Sequence, residues 1–162
     1  MAGRQRSSRL QRELKQKRSF ASDAQEAAVA VMRTADVLKR HMSVVIERYG
    51  VTLQQYNVLR ILRGAYPEPL PTLEIAERLI ERMPGITRLL DRLADKGLVF
   101  RERDGDDRRQ VNCWITPAGL ELLEEMDDPV LAADEAFLKP MSRPQVRTLI
   151  QLLERVRSTD VG

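Results

Sequence analysis

A chain of 162 residues, 43% hydrophobic but only 4% aromatic, has room for one domain with appended helices and not for several. A single cysteine excludes an internal disulfide framework, no apolar run is long enough to span a bilayer, and the basic N-terminus lacks the apolar core of a signal peptide, so a cytoplasmic protein with no membrane partner is expected. Residues 1–18 hold seven Lys/Arg against Glu13, a net of +6 in a chain whose total is +3, so the remainder is −3 and the basic pI is no evidence that the folded body binds nucleic acid.

Residues 1–21 have Leu10, Leu14 and Phe20 as their only large apolar side chains beyond Met1. They are either a solvated tail or helix extension, or an arm that adds salt-dependent affinity for phosphates. Ser22-Asp23-Ala24-Gln25 has the capping-box pattern and opens a long helix. Behind it Val31, Ala35, Leu38, Met42, Val45 and Tyr49 make a heptad-like seam that ends at Gly50. That seam exceeds what one small domain needs, and a partner helix is expected against it. His41, the only histidine, lies beside the seam and reads as a solvated or hydrogen-bonded side chain.

Thr52 to Gln55 is a second capping box, followed by an apolar stripe of Tyr56, Leu59, Leu62 and Tyr66. Pro67, Pro69 and Pro71 forbid continuation. Thr72 is placed to cap the next helix, with Leu73, Ala76, Leu79 and Ile80 facing inward.

The stretch from Pro84 to Ile115 organises the chain. Ile86, Leu89, Leu90 and Leu93 fall at i, i+3, i+4 and i+7 of a short amphipathic helix that stops at Gly97. Its opposite face carries Arg88 and Asp91, flanked by Thr87 and Arg92. LVFRER, a DGDDRR turn and QVNCWI then read as a β-hairpin, with Val111, Cys113 and Ile115 alternating onto one face and Cys113 a core thiol. Beyond it, Thr116 with Pro117 at the first helical position opens a helix carrying Leu120, Leu123, Met126, Val130 and Phe137 to about Lys139. Pro129 is expected to kink or briefly break it, with Asp128 capping any new helix. Ser142 caps a last helix with Val146, Leu149, Ile150, Leu153 and Val156 on one stripe.

A short helix, a tight turn, an amphipathic helix and a charged hairpin make a winged helix-turn-helix. LEIAERL (73–79), PGITRLLDRLADKGLV (84–99) and DDRRQVNCWITPAG (106–119) follow, in order and spacing, the pattern of the MarR-type transcriptional regulators, which this chain resembles across roughly residues 52–120. The fold class expected is mainly α with a small β-hairpin wing. Its parts are a basic tail (1–21), an N-terminal dimerisation helix (22–50), the winged helix-turn-helix (51–116) and C-terminal dimerisation helices (117–162).

Reading base edges in a major groove needs a slim helix with an exposed polar face. Pro84 and Gly85 make its first turn compact and leave free N–H groups for phosphate. Arg88, opposite the apolar stripe, is the best candidate for a bidentate contact to guanine, and Thr87 for a base or a thymine methyl. Arg82 and Arg92 suit phosphates, as does Thr72 beside its capping role. Asp91 would repel phosphate and is expected to orient Arg88 or Arg92 through a salt bridge. Asp107-Arg108-Arg109 matches the family's Asp-x-Arg wing signature. The resemblance implies that Arg109 enters a minor groove while Asp107 holds the loop; Arg108 shares the candidacy.

The resemblance further implies an obligate homodimer joined mainly through its terminal helices. It implies double-stranded operator DNA as partner, most often in repression, and release by a small phenolic or aromatic effector bound between the dimerisation helices and the reading head. The effector-binding residues do not carry over and stay unknown. Some family members sense oxidants through a cysteine in the N-terminal helices, and this sequence has none there. One His, one Cys and no metal-ligand spacing give no catalytic set, no metal site and no cofactor, so no enzyme is expected. The alternative function is a protein-interaction or architectural module without a specific operator.

Overall fold

A computed structural model describes residues 8–82, 84–103 and 110–158. The chain divides into two compact units, residues 1–40 and 41–162. In the first, Ser8 accepts a hydrogen bond from the Gln11 backbone N–H at 3.1 Å and starts a short helix, α1 (Arg9–Glu13), within the stretch read as a tail. The helix α2 (Asp23–Ile46) opens on half of the expected capping box: the Gln25 N–H donates to Ser22 Oγ at 3.2 Å, but Gln25 Oε1 accepts from the N–H of Ala21 rather than Ser22, at 2.7 Å. Its seam is uneven. Val31 and Ala35 are exposed, Leu38 and Val45 half-buried, and only Met42 and the unforeseen Ile46 are buried. A 3-10 turn (Glu47–Tyr49) then ends on Gly50.

In the second unit, α3 (Leu53–Ala65) opens with the expected Thr52/Gln55 capping box. Tyr56, Val58, Leu59 and Leu62 are buried, whereas Tyr66, expected on that stripe, sits exposed at the helix C-cap where the chain has already turned away. The proline linker holds a strand the sequence concealed, β1 (Leu70–Pro71). It is an edge of a three-stranded antiparallel sheet ordered β1-β3-β2, and an edge tolerates the donor that proline lacks.

The next helix, α4 (Thr72–Arg78), departs from expectation in cap and in phase. Pro71 occupies the N-cap position, and Thr72 is already helical, its hydroxyl donating to the Val111 carbonyl at 3.1 Å instead of capping. That tether to β3 turns Ile75 into the core; Leu79 is buried as expected, but Leu73 is 78% and Ile80 83% exposed, where an inward face is expected. After the turn, α5 (Ile86–Asp95) buries Leu89, Leu90 and Leu93. Ten residues are too few for a stable isolated helix, and each buried leucine contributes about 1.5–3 kcal/mol, so packing decides its existence.

The hairpin forms as expected from β2 (Val99–Arg103) and β3 (Val111–Ile115), with Val99 opposite Ile115 and Arg103 opposite Val111. Cys113 and Ile115 are buried. Thr116 caps α6 (Pro117–Leu138), accepting from the Gly119 N–H at 3.1 Å. This helix runs through Pro129 without a break, against expectation, and Asp128 caps nothing. Buried Leu123, Met126, Val130 and Ala133 hold one face in place on both sides of the proline, and the orphaned carbonyl of Glu125 belongs to an exposed residue that water can serve. The last helix, α7 (Arg143–Arg157), starts where Ser142 donates its N–H to Gln145 Oε1 at 2.8 Å. Its stripe is only partly covered: Val146, Leu149 and Leu153 are half-buried, Ile150 and Val156 are exposed, and α7 has no buried residue.

Candidate nucleic-acid interface

The reading head is the α4-turn-α5 pair with the β2-β3 hairpin beside it. Gly85 is the N-cap of α5 at φ 91°, a left-handed conformation that glycine adopts without penalty. With no side chain it cannot cap, so the first-turn N–H groups of α5 have no capping acceptor and remain available to an anion. Pro84, Gly85, Thr87, Arg88, Asp91 and Arg92 are all exposed, with the buried leucines behind them, and Arg82 is exposed in the turn. No ion pair among the described residues holds Arg82, Arg88 or Arg92. Arg88 and Arg92 thus lie exposed on α5 and Arg82 exposed in the turn before it, none of them in an ion pair among the described residues.

Two expectations are corrected. Asp91 orients neither Arg88 nor Arg92: it forms an ion pair with Arg101 of β2, because the inward-facing arginine of the hairpin reaches the same edge of α5. Thr72 is no cap: its half-buried hydroxyl donates to the Val111 carbonyl, with Cys113 Sγ at 3.8 Å, so that proton is not offered to a phosphate. Asp107, Arg108 and Arg109 lie outside the described residues.

Sequence reading also passed over the residues that hold the head together. Arg101 faces Cys113 across the ladder, and period-2 alternation from buried Val99 placed it on the inner face. Lys96 Nζ donates to the Gly50 carbonyl and lies 3.5 Å from Gln55 Oε1, which ties the end of α5 to the start of α3. Thr116 Oγ1 donates to the Gly97 carbonyl at 2.7 Å. Burial raises the Cys113 thiol above its ordinary value, against the lowering influence of Thr72 and Arg101. His41 Nε2 stands 3.0 Å from the Ala133 carbonyl oxygen, which only accepts, so the ring donates; its face tilts against Phe137.

In α3, Tyr56 is buried and its hydroxyl pKa is raised by that burial, with the Arg60 guanidinium 5.9 Å from the ring centroid. Among the described residues no cluster of His, Cys, Asp and Glu is arranged to hold a metal ion, and no helix is long and apolar enough to cross a membrane.

The MarR family model matches residues 51–111, the segment from the start of α3 to the start of β3. A MarR transcription factor from Planctomyces limnophilus is 40% identical, with 84% of this chain and 98% of that one covered and a TM-score of 0.66. A mutant MarR from E. coli complexed with operator DNA is 24% identical over 86% of this chain and 99% of that one, with a TM-score of 0.76. PcaV from Streptomyces coelicolor, in complex with its natural ligand, is 22% identical over 88% of this chain and 99% of that one, with a TM-score of 0.74. The last two share the fold. With a relative this similar covered almost end to end, and a reading head of this geometry, the chain belongs to the MarR family of DNA-binding transcriptional regulators.

Proposed function

We propose that this regulator acts as a homodimeric repressor on a pseudo-palindromic operator, each α5 entering a major groove and each wing following the adjacent minor groove. The observation that carries the reading is the exposed face of α5: Thr87, Arg88 and Arg92 turned outward over buried Leu89, Leu90 and Leu93. Arg88 supplies the fork geometry that reads guanine, and Thr87 packs on a base. Arg82, Arg92 and the amides behind Pro84 and Gly85 hold phosphates and set the register. Asp107, Arg108 and Arg109 are assigned to the minor-groove contact in this reading, on the strength of the Asp-x-Arg signature alone.

Dimerisation is supported by the uncovered apolar side chains of α7 and, separately, of α2, where Val31, Met32, Val37 and Val44 are exposed. Terminal helices with such faces are what a two-fold partner buries. Two heads related this way read half-sites about 34–36 Å apart, or a multiple. Release by a small phenolic or aromatic acid follows from the family likeness. A ligand that favours an unsuitable head spacing must weaken operator binding by linkage.

Selection from random double-stranded DNA at about 150 mM salt, where nonspecific affinity has largely collapsed, tests this reading. Enrichment of an inverted repeat, released on adding aromatic acids, is the expected result. Failure to enrich any sequence, with or without such acids, would overturn it.

A further inference from the structure

Arg101 and Asp91 are each badly placed on their own. Arg101 lies on the face of β2 that Val99 turns into the core, its side chain is only 17% exposed, and its Nε has no hydrogen-bond partner. For stability alone an apolar residue of similar volume would serve there at least as well, because it buries no charge. Asp91 projects from the exposed side of α5, next to Arg88 and Arg92, where a carboxylate repels the polyanion the helix has to approach. Each choice makes sense through the other. Their ion pair runs from the hairpin to the recognition helix.

The pair also sits where the head converges. Arg101 opposes Cys113 in the ladder and interacts with its thiol, and Thr72 of α4 reaches the same sulfur at 3.8 Å. So α4, α5, β2 and β3 are linked through Thr72, Asp91, Arg101 and Cys113. We propose that Arg101 is a positioning residue: through Asp91 it sets the angle of the wing against the recognition helix, so that both contact elements meet the duplex in one register. This rests on the operator-binding reading above, and gives Asp91 a role in DNA affinity that runs against its charge.

The sign of one substitution separates the two views. If Asp91 is merely a surface carboxylate, Asp91→Asn removes repulsion and tightens operator binding. If it is half of a positioning pair, Asp91→Asn weakens binding by roughly three- to tenfold. The substitution keeps shape and changes no core packing. Arg101→Gln should weaken binding to a similar extent, and the double variant no further than either single one, since both remove the same link. Hydroxyl-radical footprints on the selected operator should lose protection at the wing-side minor groove while the α5-side contacts persist. Binding by Asp91→Asn as tight as wild type or tighter, or additive losses in the double variant, would overturn the proposal while wild-type operator binding still stands. A wild-type protein that selects no operator would overturn both.

Discussion

Arg63 of α3 grips Asp127 of α6 with both arms of its guanidinium, Nη1 to Oδ2 at 2.8 Å and Nη2 to Oδ1 at 2.9 Å. The pair joins the central helix of the reading head to the long helix that leaves it. Arg63 holds the Asp127 carboxyl below its ordinary pKa and is itself raised by that carboxylate.

The sign of the pH dependence follows. A carboxyl whose folded pKa is depressed stabilises the fold above its unfolded value, about 3.9, and loses that contribution as pH falls through the lower folded value. Both side chains are partly exposed, so the gain is under about 1 kcal/mol even with bidentate geometry. Urea unfolding of wild type and Asp127→Asn should differ by a constant amount between about pH 5 and 8 and converge as pH falls through the depressed folded value of Asp127.

Gly119 is needed for space. A Cβ there would stand 2.5 Å from the Leu98 carbonyl oxygen and 2.7 Å from Ile115 Cγ1. Alanine gains up to about 1 kcal/mol of helix propensity, but overpacking against backbone costs about 1–3 kcal/mol and wins. Gly119→Ala should lower the urea midpoint; an unchanged or higher midpoint would contradict this contact.

Cys113 is fully buried, and its thiol pKa is raised by that burial, so it stays protonated near neutral pH. Iodoacetamide should label the native protein far more slowly than the urea-unfolded one. Comparable rates would mean that β3 opens readily to solvent.

The exposed residues of the α7 stripe, Ile150 and Val156, predict their own failure mode. Ile150→Glu with Val156→Glu places two charges where the proposed dimer buries apolar surface. Sedimentation should show a dimeric wild type and a monomeric variant of unchanged helix content. A variant that stays dimeric would put the interface elsewhere.

Local signals were legible in the sequence, and tertiary ones were not. Thr52, Gln55, Thr116 and Ser142 announced helix starts because capping uses residues a few positions apart. The leucines of α5 and the alternation of β3 announced faces because one strong period runs through each. The errors lie where a distant group decides. Thr72 reads as a cap until β3 offers it the Val111 carbonyl, and the phase of α4 turns with it. Strand β1 is two residues long, one of them proline, and exists only because Leu70 pairs with Cys113. Pro129 reads as a kink or short break, and the packed face around it keeps α6 one continuous helix. Asp91 was paired with its neighbours on the same helix, whereas its partner lies ten residues away across the fold. The reading face itself, Thr87, Arg88 and Arg92, needed only helical periodicity.

The central claim is that this face reads bases, and Arg88 tests it most directly. Affinities of wild type and Arg88→Ala are measured for the selected operator and for every single-base substitution in one half-site, at one salt concentration. The variant should lose about 1–3 kcal/mol of affinity, with indifference to the base at one position and preserved preferences at the others. A uniform loss across all sequences, or no loss, would contradict it and assign Arg88 to the phosphates or to solvent.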